Sequence, residues 1–369
     1  MPSRKELLPE IDLLRASALL AVAFIHTSAW IVSADAPATS GALAAATALA
    51  RFSVPAFIFC SGLVLYRAYG RPEEPGPFLR RRWLRTLLPW AVWIPVVAAT
   101  DITNGKVQPD GSDLRIWLAY GPGHLYFLFL VAQLYLLLLV LPRSRRGLAA
   151  FTSVALALQV ALDVLHTYGP PAPGPWAWPY TFLPQMEAPF WAGYFCLGCL
   201  VGAEYGRVSS QCRRWPVGLL LAPLAAALVL LESRLVPSDW WRQGLYSFLW
   251  PSQLPATIAV STTLLWAGRR LAPRMGRLWA PVTSLSRHSL GVYVLQVPIL
   301  YLLGNWTADG WPAGPRFGLL MVGSLAGAYA IVILLTRNRV GALSVGEQNA
   351  REPRARHASP LQAKPRWEA

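Results

Sequence analysis

The sequence predicts an all-α polytopic membrane protein with about ten transmembrane helices and both termini in the cytoplasm. Three observations carry this. The 369 residues are 54% hydrophobic and only 14% charged, a membrane balance rather than a soluble one. Ten stretches approach the ~20 mostly apolar residues that a spanning helix needs; they lie at about 13–32, 43–66, 84–101, 123–141, 148–166, 188–205, 216–232, 244–267, 282–303 and 316–336. With the amino terminus inside, 25 of the 33 Lys and Arg side chains fall in cytoplasmic segments and five in outer ones. That asymmetry follows the positive-inside rule.

The first stretch, IDLLRASALLAVAFIHTSAW, follows Arg4 and Lys5 and precedes Ala34 and Ala36, an outline like that of a signal peptide. A signal core seldom holds an Arg and a His, so a retained helix over 13–31 is expected. Asp12 and Arg15 lie toward its cytoplasmic end. Arg15 and His26 are eleven positions apart. On an α-helix that is about three turns plus 20° and about 16 Å, so both side chains lie on one face. Hydrocarbon makes an ionisable residue expensive to keep, which marks the pair as a functional candidate. The plainer readings are a hydrogen bond to a neighbouring helix for His26 and snorkelling to the interface for Arg15. His26 titrates near neutral pH and suits a general base.

In the second stretch, RFSVPAFIFCSGLVLY places Arg51 at the outer end and Ser61 and Gly62 in the inner half. A Ser-Gly pair suits close helix packing. No G-x-S-x-G elbow surrounds Ser61, so it is not expected to be a nucleophile. The third stretch is short and contains Pro89 and Pro95. The run FLRRRWLRTLLPW precedes and opens it. Arg82 and Arg85, and Arg81 and Arg85, share a helix face at spacings of three and four. Such arginines can hold phosphates through forked hydrogen bonds; ordinary topogenic charge is the simpler reading. GPGHLYFLFLVAQLY brings His124 to the outer mouth of the fourth stretch, where Glu187, beside the sixth, is placed to meet it. Residues 169–187, rich in Pro, Trp and Tyr, suit a membrane interface. SRHSLGVYVLQVPIL opens the ninth stretch with Arg287, His288, Ser289, Tyr293 and Gln296.

The expected division is a transmembrane domain over 1–336 and a basic cytoplasmic tail over 337–369, with no stretch left for a further folded domain. The tail is polar and Pro-containing, hence expected to be disordered and able to touch anionic lipid. Cys60, Cys196, Cys199 and Cys212 include one C-x-x-C, but inside the apolar run YFCLGCLVG and without a second pair or nearby His. They are read as small apolar side chains, with no metal site. The net charge of +15 comes from short basic clusters between apolar segments. No continuous basic face forms, so the partners expected are a lipid bilayer and small molecules, not nucleic acid.

Five of these stretches together resemble the acyltransferase 3 family of multi-pass membrane acyltransferases. The carrying match is Asp12 and Arg15 followed by His26, an Arg, ten residues, His arrangement. SVPAFIFCSG, the RRRWLR run, GHLYFLF and SLSRHSLGVYVLQVPIL follow in family order, from residue 10 to about 300. The resemblance implies ten helices and transfer of an acyl group, often acetyl, from cytoplasmic acyl-CoA to a hydroxyl. Acetyl-CoA would be a co-substrate, with no cofactor bound permanently. The histidine matching His26 is implied to be catalytic, as base or as acyl carrier, with Asp12 tuning Arg15. The arginines matching Arg15, Arg82 and Arg85 are implied to be functional, with Arg81 beside them at the donor. Ser61, His124, Glu187, Tyr293 and Gln296 are candidates for the acceptor site or channel. The family's ninth-helix motif commonly reads Tyr, two apolar residues, His; Gln296 stands in the histidine's place and cannot titrate. The implied acceptor is a sugar, a cell-surface glycan or a macrolide-type natural product. The competing readings are a transporter or exporter whose buried Arg and His bind rather than catalyse, and a scaffold that keeps the fold without activity.

Overall fold

A computed structural model gives the fold and describes residues 8–35, 40–104, 120–170, 184–214, 216–236, 247–307 and 311–347. Among these residues every regular element is helical, with no strand. In chain order the helices are α1 (Pro9–Asp35), α2 (Ser40–Ala50), α3 (Ser53–Tyr69), α4 (Pro75–Thr103), α5 (Tyr126–Val140), α6 (Arg145–Tyr168) and α7 (Ala192–Ala203). They continue as α8 (Tyr205–Arg214), α9 (Val217–Leu235), α10 (Gln253–Met275), α11 (Ala280–Arg287), α12 (Ser289–Trp306), α13 (Ala313–Leu335) and α14 (Arg339–Ser344). Eight spans among the described residues are long and apolar enough to cross a membrane. The chain is a multi-pass membrane protein.

Two of the ten expected spans take another form. The sixth is α7, only 12 residues long. The eighth is α10, which starts at Gln253 rather than 244 and spends its last turns on Arg269, Arg270 and Arg274. The second span breaks between α2 and α3, where Arg51 and Phe52 leave the helix. The ninth breaks at His288, between α11 and α12. The third is longer than expected: α4 begins at Pro75, nine residues before the apolar run, and continues through Pro89 and Pro95. The arginine run therefore belongs to its first turns. The aromatic segment 171–183, residues 105–119 and the tail beyond 347 lie outside the described residues.

The tail does not start where the apolar pattern ends. Residues 339–344 form α14, and Val345 is fully buried in the main core. Trp93 Nε1 donates to the Ser344 carbonyl at 2.8 Å. Glu347 pairs with His288. Gly346 has φ +72°, and a Cβ there would meet the Arg85 carbonyl oxygen. Pro89 lacks the N–H that would bond that carbonyl inside α4, so the returning chain can approach it closely.

The helices sort by burial. Spans built on α1, on α2 with α3, on α5 and on α12 are 61–67% buried, whereas α4, α6, α9 and α13 are 22–28% buried. The inner group supplies the core: Leu19, Val22 and Ile25 of α1 meet Ile58, Leu130, Leu134, Phe195, Val292 and Leu295. The outer group points Val154, Leu158, Leu220, Leu224 and Leu231 outward, toward lipid tails that are as apolar as the side chains. At the arginine-rich end, Glu10 accepts from Arg269 Nε at 2.9 Å and from the Tyr205 hydroxyl. That carboxylate ties the start of α1 to α8 and α10.

The closest helix contact is α3 on α7. A Cβ at Gly62 would overlap the Phe195 carbonyl, and one at Gly198 would overlap the Phe59 carbonyl and come within 2.9 Å of Leu63 N. Glycine is what lets two backbones touch in a membrane, where apolar burial no longer drives association. Gly198→Val should separate α3 from α7 and cost about 1–3 kcal/mol, the usual penalty of overpacking. Thermal unfolding of the purified protein in detergent would read this as a lowered midpoint, and an unchanged midpoint would show that the contact is not stabilising.

Candidate active site

α1 runs through the middle of the bundle and carries both predicted residues inward. His26 Nδ1 lies 2.8 Å from Gln296 Oε1 on α12. Its ring sits 5.8 Å from that of His124 and 6.5 Å from that of Tyr293, centroid to centroid. The imidazole therefore faces protein, not lipid. Arg15, deeper toward the arginine-rich end, lines a cavity of about 110 Å³ together with Ser61, Thr86, Phe127, Tyr135, Ser289 and Tyr293. Tyr293 is common to both: it walls the cavity and tilts against His26. Tyr293 thus stands between Arg15, with which it shares the cavity, and His26, whose ring it faces from outside the lining.

His124 is placed by a proline. Pro298 has no N–H, so the Val294 carbonyl, four residues earlier, loses its helical donor. His124 Nε2 donates to that carbonyl at 3.1 Å. The His124 carbonyl in turn accepts from the Tyr293 hydroxyl at 2.5 Å. Gly123, at φ +51°, starts the short 3-10 turn that holds His124 in this position. His124 Nδ1 is buried with no partner among the described residues. Three residues of one turn of α12, Tyr293, Val294 and Gln296, thereby hold both histidines.

One expected pairing is replaced by another. Glu187 does not reach His124; it accepts from the Tyr120 hydroxyl at 2.6 Å. Burial, with the Glu187 bond second, pushes the Tyr120 hydroxyl up to about 12, so it remains a neutral donor. His124 is turned inward by the freed Val294 carbonyl, away from the loop that carries Glu187. Asp12 bonds the Ser286 hydroxyl at 2.7 Å, which ties α1 to α11.

The arginine run divides by position. Arg81 is exposed and lies outside the cavity lining. Arg82 lies with its guanidinium 4.9 Å over the Tyr69 ring, a cation–π placement. Arg85 is half-buried, and with Arg82 and Arg15 it acts electrostatically on Tyr135 of the cavity wall. Thr86, next to Arg85, points into the cavity. Ser61 lines it too, with its hydroxyl donated to the Phe57 carbonyl at 2.9 Å. Cys196 and Cys199 are buried between α7 and its neighbours.

Sequence reasoning missed Thr86, Tyr135, Ser324 and the structural arginine Arg51. Ser324 is fully buried and accepts from Gln296 Nε2 at 3.2 Å; as a lone hydroxyl in the apolar run FGLLMVGSLAGA it carried a signal that periodicity does not weigh. Arg51 is buried with its guanidinium 4.2 Å over Phe248. Thr86 and Tyr135 become visible only when α4 and α5 are brought together.

The described helices form a multi-pass membrane bundle with an inward histidine and with Arg15 on its cavity. The acyltransferase-domain family matches over residues 8–333, and the chain belongs to that family. A Bacillus subtilis (strain 168) protein, "Putative membrane-bound acyltransferase YfiQ", is 25% identical over 358 residues, covering 92% of this chain and 94% of that protein. No solved structure matches the chain.

Tyr293→Phe should remove the hydroxyl given to the His124 carbonyl and cost about 1 kcal/mol, the net worth of an ordinary buried hydrogen bond. The thermal midpoint in detergent checks this; no change would mean that the turn at His124 holds without it.

Proposed function

We propose that this enzyme transfers a short acyl group, acetyl in the first instance, from acyl-CoA to a hydroxyl of a sugar, a glycan or a macrolide-type molecule. The observation that carries the reading is the cavity that joins Arg15 to Tyr293 and so to His26. The positive-inside bias puts the arginine-rich end in the cytoplasm, where acyl-CoA is found. Arg82 and Arg85 there suit the coenzyme's phosphates, with Arg81 at the rim. Arg15 lies one step further in. A cavity of about 150 Å³ accommodates a benzene, so a space of about 110 Å³ matches an acetyl end of the thioester and little more.

His26 acts as the base. It takes the proton from the acceptor hydroxyl while that oxygen attacks the thioester carbonyl. The tetrahedral intermediate collapses with cleavage of the carbon–sulfur bond. The leaving thiolate takes the proton back from the imidazolium, giving ester and thiol with no proton gained or lost. General-base assistance of this kind contributes about 10²–10⁴-fold. Asp12 braces Arg15's end of α1 through Ser286.

Release of free thiol from acetyl-CoA by purified protein, in the presence of macrolide or hexose acceptors, tests the reading. His26→Ala should lower turnover by at least about 100-fold with membrane insertion retained and the fold kept at a lowered thermal midpoint; full activity in that variant would reject it.

Arg85→Ala should act on the donor instead. One lost charge-assisted contact is worth about 1.5–3 kcal/mol, so the KM for acetyl-CoA should rise about 10- to 100-fold with kcat less affected. An unchanged KM would remove Arg85 from the donor site.

A further inference from the structure

We propose that Gln296, oriented by Ser324, is a positioning residue that fixes His26 in the Nδ1–H tautomer and so leaves the lone pair on Nε2. The inference rests on the base role proposed above and adds to it which nitrogen does the work.

Ser324 has one hydroxyl proton, and it goes to the Met321 carbonyl at 3.3 Å. Its oxygen is then available only as an acceptor. What approaches it, at 3.2 Å, is the side-chain amide of Gln296, so that end must be the NH2. The other end, the carbonyl oxygen Oε1, faces His26 Nδ1 at 2.8 Å. Oxygen of an amide only accepts, so Nδ1 must carry the hydrogen. In a neutral imidazole one nitrogen donates and the other accepts; Nε2 is left basic. Gln296 is 1% exposed and Ser324 fully buried, so water does not compete for this chain of bonds.

The reverse orientation would need two protons moved. Turning the amide over would set its NH2 against a donating Nδ1–H, or force the proton to Nε2. It would also place the amide oxygen against Ser324, whose proton would have to leave Met321. The observed arrangement keeps the Ser324–Met321 bond and gives each end of the amide its own partner.

Gln296 also limits what happens after proton transfer. The imidazolium keeps its Nδ1–H bond to Oε1, but an amide cannot take the proton on. The proton stays on His26 until the departing thiolate recovers it. A carboxylate in this place would instead stabilise the charged ring and hold the proton longer.

Nitrogen-15 NMR of histidine-labelled protein reads the tautomer directly, with a His26→Asn difference spectrum to assign one resonance pair among five histidines. The expected spectrum shows a protonated Nδ1 and an unprotonated Nε2 for His26. Gln296→Met, which keeps the bulk but removes the acceptor, should mix the tautomers and lower kcat about 10- to 100-fold, the usual effect of losing a ligand's supporting partner, with KM for acetyl-CoA within about twofold. Gln296→Glu, which still accepts at Nδ1, should keep the Nδ1–H signature. A wild-type spectrum dominated by Nε2–H overturns the proposal whatever the turnover, as does a Gln296→Met enzyme with full kcat. A protonated Nδ1 in a protein that transfers no acyl group upholds the tautomer and overturns only the acyl-transfer reading.

Discussion

Hydrocarbon offers no hydrogen bonds, so each polar group inside this bundle must be met by another or remain costly. Pro298 shows how that constraint becomes architecture. By lacking an N–H it strands the Val294 carbonyl in the middle of α12, and His124 is drawn in to satisfy it. Within the same turn Tyr293 and Gln296 bind the other two parties, the 123–125 turn and His26. A helix break that costs a backbone bond thus assembles the two imidazoles on one side of α12. Pro89 does the same on α4, where the stranded Arg85 carbonyl is approached by Gly346.

The arginine-rich end is built on a second form of the same rule. Glu10 receives Arg269 and Tyr205, Glu347 receives His288, and Asp12 receives Ser286. Each carboxylate thereby fixes an element that borders the cavity. Arg15 differs: its Nε is buried with no partner among the described residues. Arg15 lines the cavity and also acts electrostatically on Asp12.

Much of this could be seen in the chain itself. Helix positions followed from apolar length, and the inward turn of Arg15 and His26 followed from eleven residues at 100° each. The breaks at Arg51 and His288 had local signals, Pro55 four residues on and the polar run SLSRHS, which a count of apolar length does not weigh. Pro298 was visible as a proline, but the partner of the carbonyl it frees lies 170 residues away in the 123–125 turn. Docking of residues 339–347 was hidden for a related reason: RVGALSVGE is far too short to read as a spanning stretch, and its burial depends on Val345, Gly346 and Glu347 each finding a specific niche. The expectation for Glu187 placed it correctly by side of the bundle and wrongly by partner, since nearness in topology does not decide between His124 and Tyr120.

Replacement of a titratable residue by Gln at 296 looks, on sequence, like a loss of function. The geometry argues otherwise. A histidine there could face His26 as donor or acceptor and could itself be charged, so it would leave the tautomer of its neighbour dependent on pH. An amide has one oxygen and one NH2, and Ser324 uses the NH2. What remains for His26 is a single acceptor of fixed sense. The substitution exchanges a second ionisable group for a permanent dipole, in a setting where a low dielectric makes a fixed dipole effective and a second charge expensive.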